Sequence, residues 1–123
     1  MYMSLDTSDY MLCRTTAALL GMREEEDIPD VWYDNSERVY LRTRKTTDAE
    51  GSIAGYWEPT KYTHQAFRVL NKIPTDVHVS ITRSQGQPSM WRVKIRKEVT
   101  VSIEGNKLGR VICDAVCLWF AKQ

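Results

Sequence analysis

The residues best placed to do chemistry are Arg92, Lys94 and Arg96, which alternate with Trp91, Val93 and Ile95 over one short stretch. Side chains two apart in a strand share a face, so this spacing sets three cations in a row on one side and three apolar groups on the other. His78, Ser80 and Thr82, with Thr100 and Ser102, alternate in the same way in the flanking apolar runs and are expected on the cationic side. Adding Arg83, Lys97, Lys107 and Arg110 gives residues 83–110 seven positive charges against Glu98 and Glu104, enough to attract a phosphate chain or an acidic protein surface. Tyr40 and Arg42 would extend the row from an earlier strand. RNA-binding sheets present several stacking aromatics, whereas only Tyr40 qualifies here and Trp91 alternates inward, so specific RNA readout is weakly encoded. The competing reading is a solvated strand face whose Lys and Arg oppose edge-to-edge aggregation.

Other reactive residue types lack the spacing their chemistry needs. His64 and His78 are the only histidines, and catalysis by either would require Glu58 or Asp76 to converge on it in space. The three cysteines, Cys13, Cys113 and Cys117, form no CxxC pair and have no histidine nearby, which argues against a zinc site and for reduced thiols packed in the core. No cofactor is implied. The Gly105-Asn106-Lys107-Leu108-Gly109 segment precedes a helix and could offer backbone amides to an anion, although it lacks the GxxxxGK[ST] spacing of a P-loop. Trp32, Trp57, Trp91 and Trp119 read as core or core-edge residues; Trp32-Tyr33 and Tyr56-Trp57 would alternatively form a partner-binding patch.

These residues must be held by one domain over 1–123, because 123 residues are too few for two cores. With 42% hydrophobic and 27% charged residues the chain matches globular composition, and no apolar run approaches the roughly 20 residues of a membrane span. The N-terminus has acids at Asp6 and Asp9 and no basic region, so a cytoplasmic location is expected. The net charge of +1 conceals an asymmetry: residues 1–60 carry six Lys/Arg against twelve Asp/Glu, and residues 61–123 carry eleven against four. Such a split either orients the molecule on a partner, or favours self-association into a homo-oligomer, or draws the two halves together within the fold.

The apolar spacing predicts a helix over Ser4–Met22 with Ser4 or Asp6 as N-cap, a loop through the acidic run Glu24–Asp27, and a strand over Arg38–Thr43. A flexible loop is expected at about 46–55, then a helix from Thr60 to Lys72 that Pro74 stops. The three alternating runs over 77–104 form an antiparallel meander, and the residues from Leu108 to Trp119 form a last helix. The expected class is α+β, in the order α-β-α-β-β-β-α, with a four-stranded, mostly antiparallel sheet packed with helices.

The first helix ending in Leu-Gly-Met, the approach to a strand through Trp32, the Trp57-Glu58-Pro59-Thr60 step into Gln65-Ala66-Phe67-Arg68-Val69-Leu70, the Trp91-Arg92-Val93 strand and the Ala- and Cys-bearing last helix resemble the phage ABA sandwich domain family. The family occurs in small proteins of bacteriophages and prophages. The resemblance implies an α/β/α sandwich and a phage origin, with no activity to carry over. Sheets covered on both faces have near-continuous apolar strands, yet these alternate, so either one face is open or long side chains line a second layer. The expected function is that of a non-enzymatic phage accessory protein binding a host factor, in host-defence evasion or host takeover. The alternatives are a nucleotide or nucleic-acid binder using the basic face, and a small enzyme with a His/carboxylate site.

Overall fold

In the structure, a computed structural model describing residues 8–44, 53–86 and 89–123, the first helix, α1, spans Asp9–Leu19. The Ser8 hydroxyl accepts a hydrogen bond from the Met11 amide and caps it. Ser4 and Asp6, the caps expected from sequence, lie outside the described residues. Gly21, at φ 80°, ends the helix: its amide donates to Ala18 O and that of Met22 to Ala17 O, a Schellman closure that needs a left-handed residue.

Four short strands follow, β1 (Arg23–Glu24), β2 (Val31–Asp34), β3 (Val39–Arg42) and β4 (Ile53–Tyr56), forming a mixed sheet in chain order with β3 and β4 parallel. Helix α2 (Thr63–Leu70) leads to β5 (His78–Ser84), β6 (Met90–Arg96) and β7 (Thr100–Gly105), the expected antiparallel meander, and then to α3 (Leu108–Ala121). The α+β class and the three helices follow the sequence. The arrangement of strands differs from the single four-stranded sheet expected: the strand over 39–42 pairs with β2 and β4 in a second sheet. Only part of the loop expected over 46–55 is described, and that part contains β4; residues 45–52 lie outside the described residues.

Helix α3 carries an unbroken buried run from Val111 to Val116, so burial extends around the helix rather than along one stripe. It packs against β6 and β7 and also against α1 and α2. One apolar cluster joins Cys13 and Trp32 through Trp57 and Val69 to Ile95 and Trp119, and both sheets contribute to it. Two polar anchors fix the region between them. The Trp57 indole donates to Thr16 Oγ1 at 3.1 Å, and the Gln65 side chain donates to Tyr56 O at 2.8 Å while accepting from the Glu58 amide at 2.7 Å. These bonds set the Glu58–Thr63 segment against the start of α3, where a cavity opens.

Candidate functional site

The alternation read from the sequence places the cationic row as expected. Arg92 pairs in register with Thr82 and Glu104, Lys94 with Ser80 and Ser102, and Arg96 with His78 and Thr100, so all of these share one face of the β5–β7 sheet. The opposite face sends Val93, Ile95, Val101 and Ile103, each at most 2% exposed, into the core. Among the described residues no helix covers the cationic face: His78, Thr82, Arg92, Arg96 and Thr100 are exposed. The strict alternation therefore reports an open face, and the covering of both sheet faces implied by an α/β/α sandwich does not hold for this sheet.

Charge on the face is partly compensated. Arg92 donates to the Glu104 carboxylate across the strands, and just beyond the row Lys97 pairs with Asp76. Lys94 and Arg96 have no carboxylate partner among the described residues. Lys94 stands between two serine hydroxyls and Arg96 between His78 and Thr100, so an incoming anion meets donors without displacing an existing ion pair.

The other expected contributors are dispersed. Arg83 pairs in register with Trp91 on the opposite side, its guanidinium 5.5 Å from the indole centroid. Arg110 lies in the first turn of α3, bound to Asp9 and, at 3.0 Å, to Asp114. Lys107 is the N-cap of α3. Tyr40 and Arg42 belong to β3 of the mixed sheet and do not extend the row, because β3 does not pair with β5, β6 or β7. Tyr40 instead stacks on Tyr33 at 4.9 Å, and the Arg42 guanidinium lies 5.6 Å from the Tyr56 ring centroid.

The opposite charges of the two halves meet inside the molecule, since Arg68–Asp34 and Arg110–Asp9 each join an acid from the first 60 residues to a base beyond them. A further network that the sequence did not signal ties α1 to the mixed sheet. Arg14 bonds both carboxylate oxygens of Glu24 at 2.7 and 2.8 Å and reaches Asp30 at 2.6 Å, while Tyr10 and Thr43 donate to the same Asp30 oxygen at 2.5 and 3.2 Å. Hydrogen bonding to Arg14 is the main influence holding Glu24 below the usual carboxylate range. Asp30 is pushed up by burial, but its bonds to Tyr10, Arg14 and Thr43 outweigh this and hold it low.

The cavity, about 570 Å³ in volume, lies between α1, the Glu58–Thr63 segment and the start of α3. Its lining includes the acids Asp9 and Glu58, the bases Lys61 and Lys107, and Thr60 and Thr63; the Lys61 ammonium lies 5.4 Å from the Tyr62 ring centroid. Gly109 forms part of the wall and backs directly onto the Pro59 and Thr60 carbonyls. Of these residues, only the Gly105–Gly109 segment stood out in the sequence as a donor of amides. Glu58 stands out there only as a carboxylate partner for a histidine and within the Trp57–Thr60 step, Lys61 not at all, and their convergence with α3 arises from tertiary packing.

Cys13, Cys113 and Cys117 are free thiols. Burial raises Cys113 strongly and pushes Cys117 up to about 11, so neither supplies a thiolate at neutral pH. His64 lies on α2, 6.0 Å from the Tyr62 ring, and His78 lies at the start of β5, so they do not form one site. Among the described residues no cluster of three or more His, Cys, Asp or Glu could hold a metal ion, and no helix is long and apolar enough to cross a membrane.

The chain is thus an α+β protein with two sheets sharing a helical interior and one sheet face left open. It is similar in fold to a solved structure of a phage protein from Bacillus cereus ATCC 14579, with a TM-score of 0.61 and 14% sequence identity over 94% of this chain and 95% of that one. No family model matches the sequence, and no curated protein does.

Proposed function

We propose that this chain is a phage- or prophage-encoded accessory protein, related to the phage ABA sandwich domain family, that has no catalysis of its own and binds a host protein through the open face of β5–β7. The observation that carries the docking reading is the row on β6, in which Lys94 and Arg96 lack acidic partners among the described residues, Lys94 standing between Ser80 and Ser102 and Arg96 between His78 and Thr100. Such a row complements an acidic protein surface, and the charge steers association as well as adding contacts. The phage assignment is supported by the likeness in fold along nearly the whole of both chains. Defence evasion or host takeover, in the host cytoplasm, is the process this reading favours.

The test compares the wild-type protein with a variant carrying Arg92→Glu, Lys94→Glu and Arg96→Glu, each cross-linked in a bacterial lysate at moderate salt. A defined host protein should cross-link to the wild type and be lost in the variant. Identical cross-links from both proteins would remove the face from the proposal.

Nucleotide or nucleic-acid binding on the same face is a second reading, supported by Ser80 and Ser102 flanking Lys94, since hydroxyls and ammonium groups together suit phosphate oxygens. It requires affinity for single-stranded nucleic acid that falls steeply with salt. An affinity indifferent to salt would discard it. An enzyme using His64 or His78 with a carboxylate has less support, because the two histidines lie on separate elements.

A further inference from the structure

The cavity beside α3 holds opposite charges that do not satisfy one another. Glu58, Lys61 and Lys107 all line it, yet none of them forms an ion pair among the described residues, although the exposed Arg92 and Lys97 and the partly buried Arg110 all do. The backbone segments that carry them are held in place. Gly109 packs without space for a side chain against the Pro59 and Thr60 carbonyls, and Gln65 fastens the Glu58 amide, so the two walls are anchored to the rest of the fold. Asp9, the second acid in the lining, is already bound by Arg110 and adds little free negative charge.

From this geometry we infer that the cavity is a binding site for a small organic phosphate bearing hydroxyl or amino donors. Lys61 and Lys107 approach the phosphate from two segments, matching its double negative charge better than that of a single carboxylate. The Thr60 and Thr63 hydroxyls, also in the lining, add neutral donors. Glu58 accepts from the donor groups of the organic part. A volume of about 570 Å³ exceeds what an inorganic ion needs and falls within the range of small-molecule sites. The site is independent of the docking face, which belongs to the β5–β7 sheet.

The experiment is an amide chemical-shift titration of the full chain with inorganic phosphate, glycerol 3-phosphate, adenosine monophosphate and adenosine. At least one of the two organic phosphates should give saturable shifts at Thr60, Lys107 and Gly109, with an affinity above that for inorganic phosphate or adenosine. Lys107→Glu and Lys61→Glu, both at exposed positions, should each weaken that binding about tenfold or more, the loss expected for one charge-assisted contact. Glu58→Gln should narrow the preference for the organic phosphate over inorganic phosphate. Arg96→Glu should leave the titration unchanged, which separates this site from the docking face. The inference is overturned if no phosphate shifts these amides, if inorganic phosphate binds as tightly as both organic phosphates, or if Arg96→Glu abolishes the effect while Lys107→Glu does not.

Discussion

Arg68 on α2 donates two hydrogen bonds, at 2.8 and 3.2 Å, to the carboxylate of Asp34 at the end of β2. The acid is 1% exposed and the two residues are 34 apart in sequence. This contact joins the mixed sheet to the helical layer. Removing the guanidinium leaves a buried carboxylate without its counter-charge. Because Arg68 is itself partly solvated, Arg68→Ala should destabilise the protein by about 2–3 kcal/mol, below the full loss for a wholly buried pair. Urea unfolding measures it, and a double-mutant cycle with Asp34→Ala should return a coupling well above the ~0.5 kcal/mol of an exposed pair.

The acid limb of stability is set by the same contacts. Glu24 is lowered chiefly by the Arg14 hydrogen bond. At Asp34 burial pushes the carboxyl up, but Arg68 and the Ser36 and Glu37 amides outweigh it and the balance is low. A carboxyl with a depressed folded value binds its proton more readily in the unfolded chain. The stability it adds is therefore present above about pH 4 and lost as pH falls through the folded value. Asp114 has the opposite sign: burial raises it, so its charge costs stability at neutral pH and protonation relieves that cost as pH falls through the raised value. Urea midpoints measured from pH 7 to pH 2 should rise slightly and then drop below about pH 4. Asp114→Asn should remove the rise and keep the drop.

Gly109 and Gly55 should respond oppositely to alanine. A Cβ on Gly109 would lie 2.9 Å from Thr60 O and closer still to Pro59 O, both rigid backbone atoms, whereas one on Gly55 meets nothing within 4 Å. Gly109→Ala should cost at least about 3 kcal/mol, the upper end for overpacking, and Gly55→Ala should be neutral or mildly stabilising. Thermal melts of the two variants decide this.

The thiols should be silent in the native state. Burial raises all three, Cys117 to about 11, so a disulfide reagent at pH 8 should label the folded protein at the rate of global or local unfolding. Full labelling of the three should appear at once in denaturant.

The β5–β7 sheet was legible because each strand is six or seven residues long and alternates over most of its length, broken only near the ends of β5 and β7 at Arg83 and Gly105. Long strands give a two-residue period room to show, and the direction of Lys94 and Arg96 followed from it. The mixed sheet was mostly hidden for the converse reason. Its strands run two to four residues, and Val31–Asp34 buries an acid where a pattern reader expects a polar turn. Asp34 is inside because Arg68 meets it there, and Glu24 left the acidic run to pair with Arg14. Arg68 is 34 residues from Asp34, and Arg14 meets Glu24 only because the chain turns back after α1, so no periodic pattern contains the cause. The cavity shares this limit: its amide-bearing wall could be named from Gly105–Gly109, but Glu58 and Lys61 join it only through packing.

Because α3 packs on β6 and β7 and also on α1 and α2, the order in which the chain is made matters. Asp9 and Arg110, bonded in the finished protein, are 101 residues apart. While the ribosome is still translating the residues before α3, α1 and the β5–β7 meander have no common surface to close on, and their apolar sides face water. Closure of these surfaces is therefore expected only once α3 is in place, because the contacts that bring them together span most of the sequence.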